Sequence, residues 1–145
     1  MIGTSKAPWH LWAVGVVAIL WNAFGCVDFT LTQLQGEVWL RNMKMTEAQI
    51  AAFGAMPAWT HVAWAVGVWG GLLGGVLLLL RRRLALPAFV ASFAGFLAGL
   101  LHTYVLAPDP DLMPEGVWMM QAVIGLGCVL FIAYAWRQSK AGVLR

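Results

Sequence analysis

The chain has 145 residues, 61% of them hydrophobic and 10% charged, with a formal net charge of +3. A soluble domain carries roughly 25% charged residues, so this composition, with a mean hydropathy of +0.79, excludes an ordinary water-soluble fold. It gives no nucleic-acid footprint either, because the basic residues sort by topology and not onto one face of a soluble fold.

Four apolar segments predict membrane-spanning helices over about 9–30, 59–80, 84–106 and 116–136. Each is close to the ~20 residues that cross a ~30 Å hydrocarbon core at 1.5 Å per residue. Nothing alternates with period two over strand lengths, so the expected class is an all-α integral membrane four-helix bundle and not a barrel. The nine tryptophans suit membrane interfaces, where one end of the ring system is apolar and the other hydrogen-bonds.

The first segment opens with Pro8, which suits a first helical turn. Ala23-Phe24-Gly25-Cys26 has the outline of a lipoprotein cleavage box. Phe24 is bulky for such a site, and apolar character continues to Leu31, so the segment reads as a retained span. Residues 31–58 form the longest loop and hold a short amphipathic helix. Thr46 is its N-cap, Gln49 the reciprocal partner of a capping box, and Glu47 an acid in the first turn. Met45 and Ile50 are placed as a hydrophobic staple. Ile50, Phe53 and Met56 give an apolar edge that lies on the membrane or caps the bundle. Pro57 ends it.

Arg81, Arg82 and Arg83 alone join the second and third segments, which predicts an antiparallel hairpin. Pro87 falls in the first turn of the third helix. Residues 107–114, with three prolines, read as stiff and extended. A basic tail follows the fourth segment. With both termini on one side, that side holds Lys6, Arg81, Arg82, Arg83, Arg137, Lys140 and Arg145, against Arg41 and Lys44 on the other. The positive-inside rule then places both termini in the cytoplasm. The acidic residues lie in or beside the outer loops.

Small residues suggest the packing. Gly67, Gly71 and Gly75 recur every four residues, with Gly70 and Gly74 as a second row, and Ala91, Gly95 and Gly99 form a matching ladder. Such ladders let backbones approach closely in lipid. A pore or homodimer seam would use them, but a partner ladder in the same chain points to the hairpin. The Phe89, Phe93, Phe96 stripe reads as lipid-facing or core filling. The two cysteines, Cys26 and Cys128, sit in apolar segments without a CxxC or Cys/His cluster, so neither a disulfide framework nor a metal site is indicated.

Polar residues inside a membrane are costly and worth weighing. Asn22, Asp28, His61, His102 with Thr103 and Tyr104, and Gln121 all gather in the outer halves of the four segments. His10 stands apart near the other surface. Ser92, Gly95, Gly99 and His102 share one helix face, and an Asp28–His61 or Asp28–His102 pair is sterically possible. Four readings stay open. An outer polar pocket of Asp28, His61, His102, Gln121 and Asn22 could bind a small ligand or relay protons. His61 and His102 could ligate a haem from adjacent helices. A quinone or lipid contact is possible and carries no motif. The plainest reading leaves Asp28 and His61 solvated at headgroup level, with His102 and Asn22 in interhelical hydrogen bonds. No nucleophile–base pair, phosphate loop or catalytic carboxylate pair is present, so no catalytic residue is assigned. Asp109 and Asp111 in a Pro-rich loop read as solvated.

Trp21-Asn22 with Gly25 and Asp28, Pro57-Ala58-Trp59, the Trp64–Gly75 glycine run, Leu77–Arg83, Pro87 with Phe89 and Ser92, and the closing Ala141–Arg145 together resemble a family of small four-helix bacterial inner-membrane proteins. The resemblance implies four spans and that location. It implies no activity; the transporter label sometimes attached to such sequences has no solute pathway behind it in these residues. The expected function is a non-catalytic accessory or interaction subunit of a larger inner-membrane complex, or a self-associating protein, surrounded by the lipid bilayer and with no cofactor. The alternatives are a small oligomeric transporter or ligand/proton binder, and a haem- or quinone-associated redox protein.

Overall fold

The computed structural model describes residues 5–145. It is all-helical, with 79% helix and no strand among the described residues. Four of its helices are long and apolar enough to cross a membrane: α1 (Trp9–Gln35), α4 (Ala58–Leu79), α5 (Ala85–Leu101, continued by a π-turn at His102–Leu106) and α6 (Val117–Lys140). Two short helices, α2 (Glu37–Asn42) and α3 (Glu47–Gly54), lie between α1 and α4.

The first helix runs past the predicted boundary near residue 30. Thr30 and Thr32 donate their hydroxyls to the carbonyls of Cys26 and Asp28, four residues back, at 2.7 Å. Polar side chains that satisfy themselves this way do not stop a helix. Gly36, at φ +55°, does. At 1.5 Å per residue α1 is about 40 Å long, more than a ~30 Å hydrocarbon core. α2 was not expected; the presumed loop is mostly helix. α3 matches its sequence signature, with Gln49 N–H donating to Thr46 Oγ1 at 3.2 Å and Thr46 N–H to Gln49 Oε1 at 2.9 Å. Residues 107–114 are not simply extended: Pro110–Leu112 form a 3₁₀ turn.

The helices pack in the order α1, α4, α5, α6. α4 is central, and its glycines serve two faces. Gly67, Gly70 and Gly74 meet α5 at Ser92, Ala88 and Phe89; Gly71 and Gly75 meet α1 at Asn22 and Ile19. The expected pairing of the Gly67, Gly71, Gly75 row with Ala91, Gly95 and Gly99 is therefore corrected. On α5 the close-approach residues are Ala88, Ser92 and Gly95, while Ala91 faces outward and Gly99 meets nothing within 4 Å. Ser92 Oγ donates to the Gly67 carbonyl at 2.5 Å, across the α4–α5 contact. α6 is different. Across its most apolar 18 residues it buries none of them.

Ser5, the C-terminal residues and the α4–α5 turn lie at one end, called here the arginine end; α2, α3 and residues 107–116 lie at the loop end. The arginine end is a knot. Arg81, at φ +57°, donates Nη2 to the Ser5 carbonyl at 2.7 Å and Nε to the Val143 carbonyl at 3.1 Å. Arg83 Nε reaches the Leu144 carbonyl at 3.2 Å, and backbone bonds link Arg83 to Arg145 and Arg145 to Arg81. The predicted basic tail thus folds back, and Leu144 joins Leu11 and Leu78 as a fully buried side chain. Here α1 and α6 converge, with a His10 Nδ1–Tyr134 hydroxyl bond of 2.5 Å. Toward the loop end they part.

Candidate functional site

Where α1 and α6 part, a cleft of about 900 Å³ opens, with α4 and α5 as its floor. Gly67, Gly95 and Gly99 line the floor, and at Gly99 an added Cβ meets nothing within 4 Å. Aromatic rings form the walls, among them Trp21 and Phe24 on α1, Trp64 on α4 and Phe96 on α5. Phe89 stacks on Phe131 of α6, at 5.4 Å between centroids, and lines the cleft's deep end. Beyond that pair the converging α1, α6 and C-terminal tail close the arginine end. The Trp21 ring lies against Gly127 and partly bridges the gap from α1 to α6.

A second cavity of about 390 Å³ lies at the loop end, under α3 and residues 107–114. Gln49 Nε2 donates to the Leu112 carbonyl at 2.8 Å and ties α3 across it. His102, Asp109, Thr103 and Gln121 contribute polar groups. Thr103 and Gln121 line both cavities. His102 begins the π-turn, in which Ala107 N–H donates to the His102 carbonyl at 2.9 Å, a bond spanning five residues. Such single π-turns widen a helix locally and recur at functional sites.

The polar residues singled out in the sequence do not form one layer. Asp28 faces neither histidine: its Oδ1 accepts from the Trp39 indole N–H of α2 at 2.8 Å. His61 packs edge-on against Phe53 and accepts from Gln33 Nε2 at 3.4 Å. His102 is 9% exposed and packs edge-on against Trp59. Trp59 and His61 are two residues apart on α4, about 200° around the helix, so the histidines face opposite sides of it. Neither cavity is lined by both. A haem held between them has no common space to occupy. Asn22 donates to the Ala18 carbonyl at 2.8 Å and lies over Gly71, at the edge of the cleft. Gln121 accepts from the Tyr104 hydroxyl, which links α6 to the end of α5.

Of the expected site residues, the structure therefore brings only His102 and Gln121 to one cavity, and Gln121 and Asn22 to the other. Sequence reasoning missed Trp21, Trp64 and Phe96 as cleft residues. Their aromatic character was visible, but which helix faces remain unpartnered is a tertiary fact.

Outside the spans the electrostatics are local. Arg41 pairs with Glu37 at 3.0 Å and Glu47 at 2.9 Å. The guanidinium, through hydrogen bond and charge, holds the Glu47 carboxyl below its usual range. Among the described residues no three His, Cys, Asp or Glu side chains are grouped to hold a metal ion.

The fold and cleft define a class: an all-helical protein with four helices long and apolar enough to span a membrane. No protein-family model, curated protein or solved structure matches the chain.

Proposed function

We propose that this is a multi-pass protein of a bacterial inner membrane, with both termini in the cytoplasm, that serves a non-catalytic role by holding an apolar, membrane-dissolved molecule in the α1–α6 cleft. The cleft carries this reading. Its volume lies within the range of ligand sites, its walls are aromatic, and it opens sideways on helices whose outer faces are apolar. Asn22, Thr60 and Ser92 in the cleft are engaged with the carbonyls of Ala18, Pro57 and Gly67, which supports binding over chemistry. Orientation rests on seven basic residues at the arginine end against two at the loop end. The resemblance to small four-helix inner-membrane proteins belongs to the same proposal.

Two experiments test it. Alkaline phosphatase fused after Arg145 is expected to be inactive, and fused after Gly116 active; the reverse pattern overturns the orientation. Protein purified in mild detergent is expected to retain a stoichiometric apolar molecule, released by organic extraction and seen by mass spectrometry. Recovery of bulk lipid alone, in the proportions of the membrane, overturns the binding role.

A second reading, an accessory subunit docking on a larger complex or on a second copy, is favoured by α6, whose most apolar 18 residues stay unburied within the chain. Site-specific photo-crosslinkers at Val123 and Leu126 are expected to capture one defined partner protein or a second copy of the chain. Crosslinks to lipid only oppose it.

A further inference from the structure

Resting on the cleft-binding reading, we infer that the cleft and the loop-end cavity are one site for an amphiphile with a long apolar tail and an uncharged, hydrogen-bond-accepting head. The tail occupies the cleft and the head the cavity above it. The two spaces share Thr103 and Gln121, so they adjoin at a polar threshold. From Thr103 down to Phe89 along α5 is about 20 Å at 1.5 Å per residue. The occupant is therefore long and narrow.

The closed arginine end decides against a partner helix. A spanning helix lying in the cleft meets the knot of Leu11, Ala135 and Leu144 before it can leave the other side. A lipid-like tail ends within the membrane and meets no such obstacle.

Charge decides the head. No lysine or arginine lines either cavity, and Asp109 carries a carboxylate into the loop-end one. All six acidic residues of the chain lie at the loop end. A phosphate head finds no cation there and a field of its own sign. The groups left to pair include donors. The Tyr104 hydroxyl occupies the Gln121 carboxamide oxygen, so the Gln121 amide N–H₂ is turned to donation, beside the Thr103 hydroxyl and the His102 imidazole. Carbonyl or hydroxyl oxygens on a neutral head match this set. An isoprenoid quinone and a diacylglycerol both present them.

Tryptophan fluorescence provides the assay, since Trp21 and Trp64 line the cleft. Purified full-length protein in detergent is titrated with decyl-ubiquinone, and bound quinone is challenged with dioctanoylglycerol, dioctanoyl-phosphatidylglycerol or dodecane. Saturable quenching is expected, reversed by dioctanoylglycerol if diacylglycerol is the better ligand and resistant to it if quinone is. Phosphatidylglycerol is expected not to compete. Gly99→Leu fills the cleft from a position where an added Cβ meets nothing within 4 Å, so it keeps the fold and weakens binding about tenfold or more. Gln121→Leu weakens quinone binding by about tenfold, the worth of one neutral hydrogen bond, and leaves dodecane binding unchanged. Far-ultraviolet circular dichroism of both variants must match the parent. No saturable quenching, or unchanged binding in Gly99→Leu, overturns the cleft reading and this inference together. Weakened binding in Gly99→Leu with effective competition by phosphatidylglycerol, or with no effect of Gln121→Leu, overturns the head assignment alone.

Discussion

Gly95 and Gly99 stand four residues apart on α5 and look equivalent in the sequence, but their surroundings are opposite. A Cβ on Gly95 sits 2.5 Å from the Ala63 carbonyl oxygen and 2.8 Å from the Gly67 nitrogen, both backbone atoms. They cannot move aside without separating α4 from α5. Gly95→Ala is therefore expected to destabilise by about 1–3 kcal/mol, as overpacking does, and to lower the melting temperature in detergent. Gly99→Ala is expected to hold or slightly raise it, because alanine favours a helix by up to about 1 kcal/mol over glycine. Equal melting of the two variants would refute this. Asp28 makes a comparable point. Its carboxylate looked available for a histidine and instead fixes Trp39, so Asp28→Ala is expected to cost about 1.5–3 kcal/mol, the range for a hydrogen bond to a charged group. The loss is read as a lower melting temperature together with altered Trp39 emission. The sequence could single out Asp28 as unusual. It could not name the partner, because Trp39 reaches it only through the turn at Gly36.

At the scale of elements, α3 was the most legible. Its capping box, acid in the first turn and terminating proline are local signals, and local geometry satisfied them without help from the rest of the fold. The Arg41–Glu47 pair adds a pH dependence. The folded carboxyl titrates below its unfolded value, so the pair's contribution is complete above the ordinary carboxylate range and is lost as pH falls through the lower, folded value. Both groups are exposed, so the effect is small. Amide exchange in α2 and α3, corrected for intrinsic rates, is expected to quicken as pH falls below that range in the parent and not in Glu47→Gln. α4 was half legible. Its glycines announced close packing, but a repeat of four residues fits one helix face in projection, and the split between an α1 face and an α5 face needed both neighbours in place. α5 was predicted as one helix to residue 106; no residue between His102 and Leu106 marks the change to a π-turn.

For the molecule as a whole, the arginine end carries two meanings. Arg81, Arg82 and Arg83 are the strongest orientation signal in the chain, and Arg81 and Arg83 also clasp the carbonyls of the two termini. Leu144, fully buried beside Leu11 and Leu78, fills the knot. Leu144→Ala is expected to cost about 2–5 kcal/mol through lost burial and the cavity left behind, and the thermal melt in detergent checks it; a shift no larger than for exposed Leu126→Ala would show the knot to be dispensable. Composition, hydropathy and charge by themselves determined that the chain is helical, how many helices are long and apolar enough to span a membrane, and that both termini share an end. These follow from quantities that add along the chain: apolar length against membrane thickness, and counted charge. The cleft, the two-faced α4, the partners of Asp28, His61 and His102, and the folded tail were decided only by tertiary structure. Each depends on which helix faces meet and which are left over, and apolar side chains that look alike in a sequence serve equally well as packed core, cavity wall or lipid-facing surface.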